Sequence, residues 1–366
     1  MNWGFIILLI VLLAYCGENE RKIGYRIKIS CRAAIVLIYA FIVGFGGPSG
    51  QDHQWYAWLY EDVKESDLNS VSFYWGKSAS GYEIGYMFLN YIGKFCHLGN
   101  AGFFFFIALF VNAININYIY KFKNAALVVC FFFVSESLLQ QSNLIRQTIA
   151  SAVFLYSIRF LVDKQIFKYV GCVLLAMCFH LSAFILFIFA PLCFIKSSQE
   201  RMINNLLRTA WGVSLLISMK LIGITNIGLF SFLSGYETYM TTRNSIGMEY
   251  SIVRVLVFNI ITVFFLALNE RKYSVYLVIL VFSTILMNCS VQMPNLARLG
   301  TYFGTASFVY FFHSLSDFQY TKKMPLLEQA KYVIAAFVLY LAMTQFIISN
   351  ETLLFSKTYQ LSEFFN

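Results

Sequence analysis

Residues 169–195 read YVGCVLLAMCFHLSAFILFIFAPLCFI, 27 residues without an Asp, Glu, Lys or Arg. About 20 apolar residues in helical form span the hydrocarbon of a bilayer, so this run reads as membrane-embedded. It is either one long tilted helix or two short halves meeting near His180. Two halves keep Lys196, Arg201 and Arg208 on the same side as the other basic clusters, and that reading is preferred. Broken helices at membrane depth are tolerated where they line a cavity.

The rest of the chain has the same character. Of its 366 residues 59% are hydrophobic and 12% charged, and the mean hydropathy is +0.67. A soluble domain carries about 25% charged residues, so this chain has too little polar surface to face water all round. The 39 Phe and 24 Tyr fit lipid-packed helices and headgroup-level belts. The expected fold is all-α: one integral membrane domain over 1–366, a polytopic bundle of about twelve crossings. Their approximate positions are 3–16, 33–47, 102–119, 124–139, 147–162, 169–179, 181–195, 209–224, 251–268, 275–290, 300–317 and 331–349. The first apolar run, Trp3 to Cys16, has no basic region before it and no small-residue cleavage site after it. It reads as a retained helix rather than a signal peptide.

The net charge of +9 does not point to nucleic acid, because Lys and Arg sit in short clusters between apolar runs. The clusters are Arg21, Lys22, Arg26, Lys28 and Arg32; Lys121 and Lys123; Lys164 and Lys168; Lys196, Arg201 and Arg208; Arg271 and Lys272; and Lys322, Lys323 and Lys331. With twelve crossings all fall on one side, which the positive-inside rule makes cytoplasmic, with both termini outside. Lys220 reads as a snorkelling side chain. Two outer loops follow, at about 48–82 and 225–250. The first carries Asp52, Glu61, Asp62, Glu65 and Asp67 against Lys64 and Lys77. Residues 83–97 are best read as an amphipathic interfacial helix, since a thirteenth crossing there would invert everything downstream. The eight Cys show no CxxC pair or metal spacing and read as small apolar residues.

Ionisable groups in or beside apolar segments are expensive when unpaired and are functional candidates by default. Four places stand out. Pro48-Ser49-Gly50-Gln51-Asp52-His53-Gln54-Trp55-Tyr56 follows the second crossing, and its turn puts Asp52 at the outer membrane edge. A carboxylate there suits a general base toward a sugar hydroxyl, a metal ligand bridging phosphates, or simply a helix cap. Gln140 to Gln147 interrupts two apolar runs and sets Arg146 at a helix start. Its planar fork suits a phosphate, and a helix N-terminus favours an anion; a structural pairing with Asp52 or Glu136 is the alternative. His180 is alone in its apolar run, either a satisfied core histidine or a donor to phosphate or sugar. Asn295 and Arg298 are three apart, on one helix face before a crossing. Arg243 and Arg254 flank the second outer loop and are further anion candidates.

No Walker A, G-x-S-x-G, H-E-x-x-H or paired-Cys motif is present, and no DxD pair for a metal-bridged nucleotide sugar. The charged groups at depth are too few for a proton relay.

Four stretches in order resemble one family. GQDHQWY (50–56), YEIGYMFLNYI (82–92), LIRQTIASAVFLYSIRFL (144–161) and FHLSAFI (179–185) are similar to the EpsG family of Wzy-type polymerases of bacterial surface polysaccharides. The likeness runs over roughly residues 1–310. It implies a GT-C-like glycosyltransferase of the bacterial cytoplasmic (inner) membrane, acting on its outward face on O-antigen or exopolysaccharide. The growing glycan would pass from undecaprenyl pyrophosphate to the non-reducing end of a lipid-linked repeat unit. No nucleotide sugar, cofactor or metal is implied; the partners are lipid-linked oligosaccharides, membrane lipid, a chain-length regulator and a flippase. In those terms Asp52, His53 or Glu83 serves as base near the acceptor. Arg146, Gln147, His180, Arg243, Arg254, Asn295 and Arg298 hold pyrophosphate or glycan. The competing readings are a flippase or transporter of lipid-linked oligosaccharide, an O-acetyl transferase and an O-antigen ligase. A transporter favours polar groups spread through the bilayer and inverted repeats, and neither is seen.

Overall fold

The computed structural model describes residues 3–18, 24–46, 51–63, 83–134, 141–223, 252–268, 275–293 and 296–317. These residues are mostly helical, with no strand among them. They form α1 (Trp3–Glu18), α2 (Tyr25–Phe45), α3 (Gln51–Asp62), α4 (Ile84–Phe95), α5 (Asn100–Ile119), α6 (Ala125–Val134), α7 (Ile145–Val162) and α8 (Ile166–Phe179). A 3₁₀ helix (Leu181–Phe194) follows, then α9 (Glu200–Ser218), α10 (Ile252–Leu268), α11 (Val275–Ser290) and α12 (Leu296–Asp317). By length and composition α2, α5 and α7 each suffice to cross a membrane. Shorter apolar segments lie at Ile6–Glu18, Ile166–Phe179, Leu181–Phe194, Val255–Leu266 and Val275–Ser290. The expected crossing at 331–349 and the outer loop at 225–250 lie outside the described residues.

Several boundaries differ from expectation for physical reasons. Helix α2 begins at Tyr25 rather than near 33, and takes Arg26, Lys28 and Arg32 into its first turns. Long basic side chains extend along a helix while their heads stay in water, so charge alone does not end it. Helix α9 begins at Glu200 and ends at Ser218, not 224. Lys220 adopts φ 59 just beyond it, with Lys220 N–H on Ile217 O and Leu221 N–H on Leu216 O, both 2.9 Å. That pattern is the left-handed stop that satisfies the last carbonyls of a helix. The 27-residue apolar run breaks at His180, as the two-half reading expected. Its second half is a 3₁₀ helix of 14 residues. A 3₁₀ helix rises about 2.0 Å per residue, so these residues reach about 28 Å, near the ~30 Å hydrocarbon thickness.

The described residues fall into two compact units. The first holds α1 to α7 up to Phe160, with Ile166–Ile188 and the end of α12 from Phe312. Here α2 packs along α5 with backbones nearly touching. A Cβ on Gly44 would lie 2.6 Å from Phe105 Cβ and 2.8 Å from its Cα, so only glycine fits. Tyr39 stacks between Phe132 and Phe133 and donates its hydroxyl to Val129 O at 2.8 Å, tying α2 to α6. On the basic side, Arg32 lies over the Tyr120 ring at 4.0 Å and donates Nε to Gly17 O. The Glu18 carboxylate accepts from Ala125 N–H and Ala126 N–H, capping α6.

The second unit holds 161–165 and 189–311. Its helices α9, α10 and α11 are joined by buried amides and hydroxyls. Trp211 Nε1 donates to Asn259 Oδ1 at 2.9 Å, Asn259 Nδ2 to Asn288 Oδ1 at 2.6 Å, and Asn288 Nδ2 to Ser214 Oγ at 2.8 Å. Polar cross-helix bonds of this kind replace the hydrophobic drive that lipid removes.

Candidate functional site

Helix α3 occupies part of what the sequence presents as an outer loop. His53, Tyr56, Leu59, Tyr60 and Val63 are buried, at spacings of three and four. The other face carries Gln54, Trp55, Trp58, Glu61 and Asp62. The amphipathic pattern turns one face of a polar segment inward against α5 and α4. Helix α4 is short and one-sided, with Tyr86, Met87, Asn90 and Gly93 buried. It stops at His97, whose φ is 53, with Leu98 N–H bonded to Gly93 O.

Glu83 sits just before α4, and three elements converge on its carboxylate. Arg146, in the first turn of α7, donates Nη1 to Glu83 Oε2. His180, at the break between α8 and the 3₁₀ helix, puts Nδ1 3.1 Å from Glu83 Oε1. The backbone N–H of Leu181 donates to the same oxygen at 3.0 Å. Tyr56 of α3 completes the group: Arg146 Nε donates to its hydroxyl at 3.1 Å, and the guanidinium lies 5.6 Å from its ring centre. The Tyr56 ring packs edge-on against Tyr86.

Helix α4 approaches α8 closely enough to make this possible. A Cβ on Gly85 would sit 2.7 Å from Cys178 O and 3.1 Å from Phe179 Cδ1. Glycine at 85 therefore lets Glu83 reach the end of α8.

The side chains of Glu83, Arg146 and His180 keep 16%, 20% and 20% of their surface exposed. Burial pushes the Glu83 carboxyl up. The His180 hydrogen bond, the Arg146 charge and the Leu181 N–H outweigh it and bring the group down to about 2. Glu83 is therefore an anion at any physiological pH, with Oε1 shared by two donors and Oε2 held by Arg146.

The remaining expected residues are distributed as follows. Asp52 lies in the first turn of α3, and its backbone N–H donates to Asn143 Oδ1 at 3.1 Å. His53 is buried and stacks on Phe104, centroids 4.3 Å apart. Gln147 is buried in α7. Arg298 is half-buried in the first turn of α12, in the second unit. Arg254 belongs to α10, while Arg243 and Asn295 lie outside the described residues. Arg146 pairs with Glu83, a partner the sequence reading did not offer it. Tyr56 and Asn143 lie in the two singled-out stretches, 48–56 and 140–147, but sequence reasoning gives them no role, though Tyr56 stands three residues after His53 on the same helical face. Asn112 was also missed. It exchanges two 2.9 Å hydrogen bonds with Gln141, and an amide in the middle of an apolar helix was the available signal.

A carboxylate-organised group of one guanidinium, one imidazole and one phenol suits anionic and hydroxyl-rich ligands. The four motifs that supply it are those carrying the family resemblance. The EpsG family model matches residues 29–361, nearly the whole chain, and the chain belongs to that family. The family is associated with polysaccharide polymerases, and the chain is a membrane protein of polysaccharide biosynthesis. No curated protein and no solved structure matches it.

Proposed function

We propose that this chain is a Wzy-type polymerase of a bacterial surface polysaccharide, O-antigen or exopolysaccharide. It transfers the growing glycan from undecaprenyl pyrophosphate to a lipid-linked repeat unit at the outward face of the inner membrane. The reading includes a multi-pass, GT-C-like bundle of about twelve crossings, the number the apolar runs allow at ~20 residues or less each. A flippase upstream and a chain-length regulator are its proposed partners.

The observation that carries the proposal is the cluster of Tyr56, Glu83, Arg146 and His180, one residue from each of the four family motifs. Attack of a sugar hydroxyl at an anomeric carbon needs a proton acceptor on the hydroxyl and positive charge for the departing pyrophosphate. Arg146 supplies a fork for the phosphate oxygens, with Arg298, Arg243 and Arg254 as further cations. Asp52 and His53 are candidate proton acceptors, and Glu83, held as an anion, bonds to His180. Positioning and charge stabilisation supply most of the rate in such a site.

Deletion of the gene followed by a gel of surface glycan tests the reading. Loss of the long-chain ladder with a single repeat unit retained is the expected result. Complete loss of surface glycan points instead to a flippase or a ligase. Asp52→Asn, Arg146→Ala and Arg298→Ala should give the single-repeat pattern at normal protein level, and a full ladder in all three would overturn the assignment.

A further inference from the structure

We infer that His180 takes the acceptor hydroxyl's proton on Nε2, and that Glu83 is the positioning residue that puts His180 in the form able to do so. The inference rests on the polymerase reading and assigns roles within it that differ from the open choice among Asp52, His53 and Glu83.

The geometry fixes a tautomer. Glu83 Oε1 lies 3.1 Å from His180 Nδ1, and an ionised carboxylate only accepts hydrogen bonds. The proton of the neutral imidazole therefore sits on Nδ1, and the lone pair is on Nε2. Among the described residues no group bonds Nε2. The ring is also held through its backbone. His180 N–H donates to Ala176 O at 3.0 Å, Ala183 N–H to His180 O at 2.9 Å, and Leu181 N–H to the same Glu83 oxygen that holds the ring. One carboxylate oxygen thus fixes both the ring and the chain break that carries it. The imidazole keeps a fifth of its surface exposed, so a ligand can meet it.

Glu83 is the weaker choice for the base in the same geometry. All its described bonds are to donors, and accepting a proton would break the hold on Arg146 or on His180. In the step, the acceptor O–H proton moves to Nε2 as the oxygen forms its bond to the anomeric carbon. The anomeric carbon–phosphate oxygen bond breaks, and the electron pair leaves with undecaprenyl pyrophosphate. The imidazolium keeps Nδ1–H on Glu83, which stabilises the charge just gained.

Two measurements on the full chain in lipid nanodiscs test this. The first is ¹⁵N NMR of histidine-labelled protein, which has four His, with His180→Gln assigning the signal. Nδ1–H with unprotonated Nε2 is expected at His180 in the neutral form, and Glu83→Gln should shift it toward the other tautomer. A wild-type signal with the proton on Nε2 overturns the inference whatever reaction the protein performs. The second uses lipid-linked repeat units extracted from a polymerase-deletion strain. His180→Gln should lower kcat at least about 100-fold with KM little changed, as loss of a general base does. Glu83→Asp should recover part of what Glu83→Gln loses. Extension by wild type and His180→Gln at equal rates overturns the role of His180 while leaving the polymerase reading intact. Failure of the wild type to extend these units overturns the polymerase reading and the proton-transfer role with it, while the tautomer result stands separately.

Discussion

Glu83 and Arg146 form an ion pair across 63 residues of chain, between the N-terminal end of a short amphipathic helix and the first turn of a long apolar one. Neither charge is well placed alone. Removing one partner of a fully buried pair costs about 3–5 kcal/mol, and at 16–20% exposure about 2 kcal/mol is expected for Arg146→Ala or Glu83→Ala. The double variant should lose less than the sum of the two. Thermal unfolding in mild detergent reads this out, and strictly additive losses would mean that the pair contributes nothing.

The same carboxylate makes stability depend on acid. Its pKa falls from an ordinary 4.5 to about 2 in the folded chain. A depressed carboxyl contributes stability that is complete above its unfolded value and disappears as pH drops through the folded value. Wild type should therefore lose melting temperature between about pH 4.5 and pH 2 by more than Glu83→Gln does. Parallel melting-temperature curves for the two proteins over that window would contradict the assignment.

In the second unit, Asn288 is the hub of a buried network reaching Asn259 and Ser214. Asn288→Ala removes the bonds to both partners and little volume. Cross-helix hydrogen bonds in membrane proteins are worth about 0.6 kcal/mol on average and up to about 1.7, so a loss of about 1 kcal/mol is expected. Asn259 retains Trp211 as a donor, and its side chain also reaches Val255 O. The Trp211 environment should therefore persist, with its fluorescence maximum unmoved in Asn288→Ala. A red shift would show that the network unravels as a whole.

The helical class and most helix centres were legible because long apolar runs leave few alternatives in a chain so poor in charge. The break at His180 was legible too, because two halves keep Lys196, Arg201 and Arg208 on the side of the other basic clusters. Helix α3 was not read out of the outer loop, since Asp52, Glu61 and Asp62 dominate its composition. Only the spacing of His53, Tyr56, Leu59, Tyr60 and Val63 betrays an inward face. The site residues were legible as types but not as partners. Glu83 was assigned to the acceptor and His180 to the pyrophosphate, yet the two share a hydrogen bond across 97 residues. No local pattern encodes such a pairing, because it depends on how α4 meets the end of α8.

That meeting is set by Gly85, and it gives the most direct test of whether the cluster depends on helix approach. An added methyl at 85 would lie 2.7 Å from Cys178 O, a backbone atom that cannot rotate away. Overpacking of this kind costs about 1–3 kcal/mol, and relief requires α4 to move off α8. Glu83, two residues before Gly85, would then draw away from Leu181 N–H and His180 Nδ1 together. Gly85→Ala should thus lower the melting temperature and weaken the Glu83-dependent tautomer bias of His180, although it alters no polar side chain. Gly171→Ala is the control: it lies in α8 with no atom within 4 Å of the added carbon. It should leave the tautomer bias as in wild type and the melting temperature at or above it, since alanine is the better helix former by about 1 kcal/mol. Equal behaviour of the two variants would mean that the α4–α8 contact does not hold the cluster together.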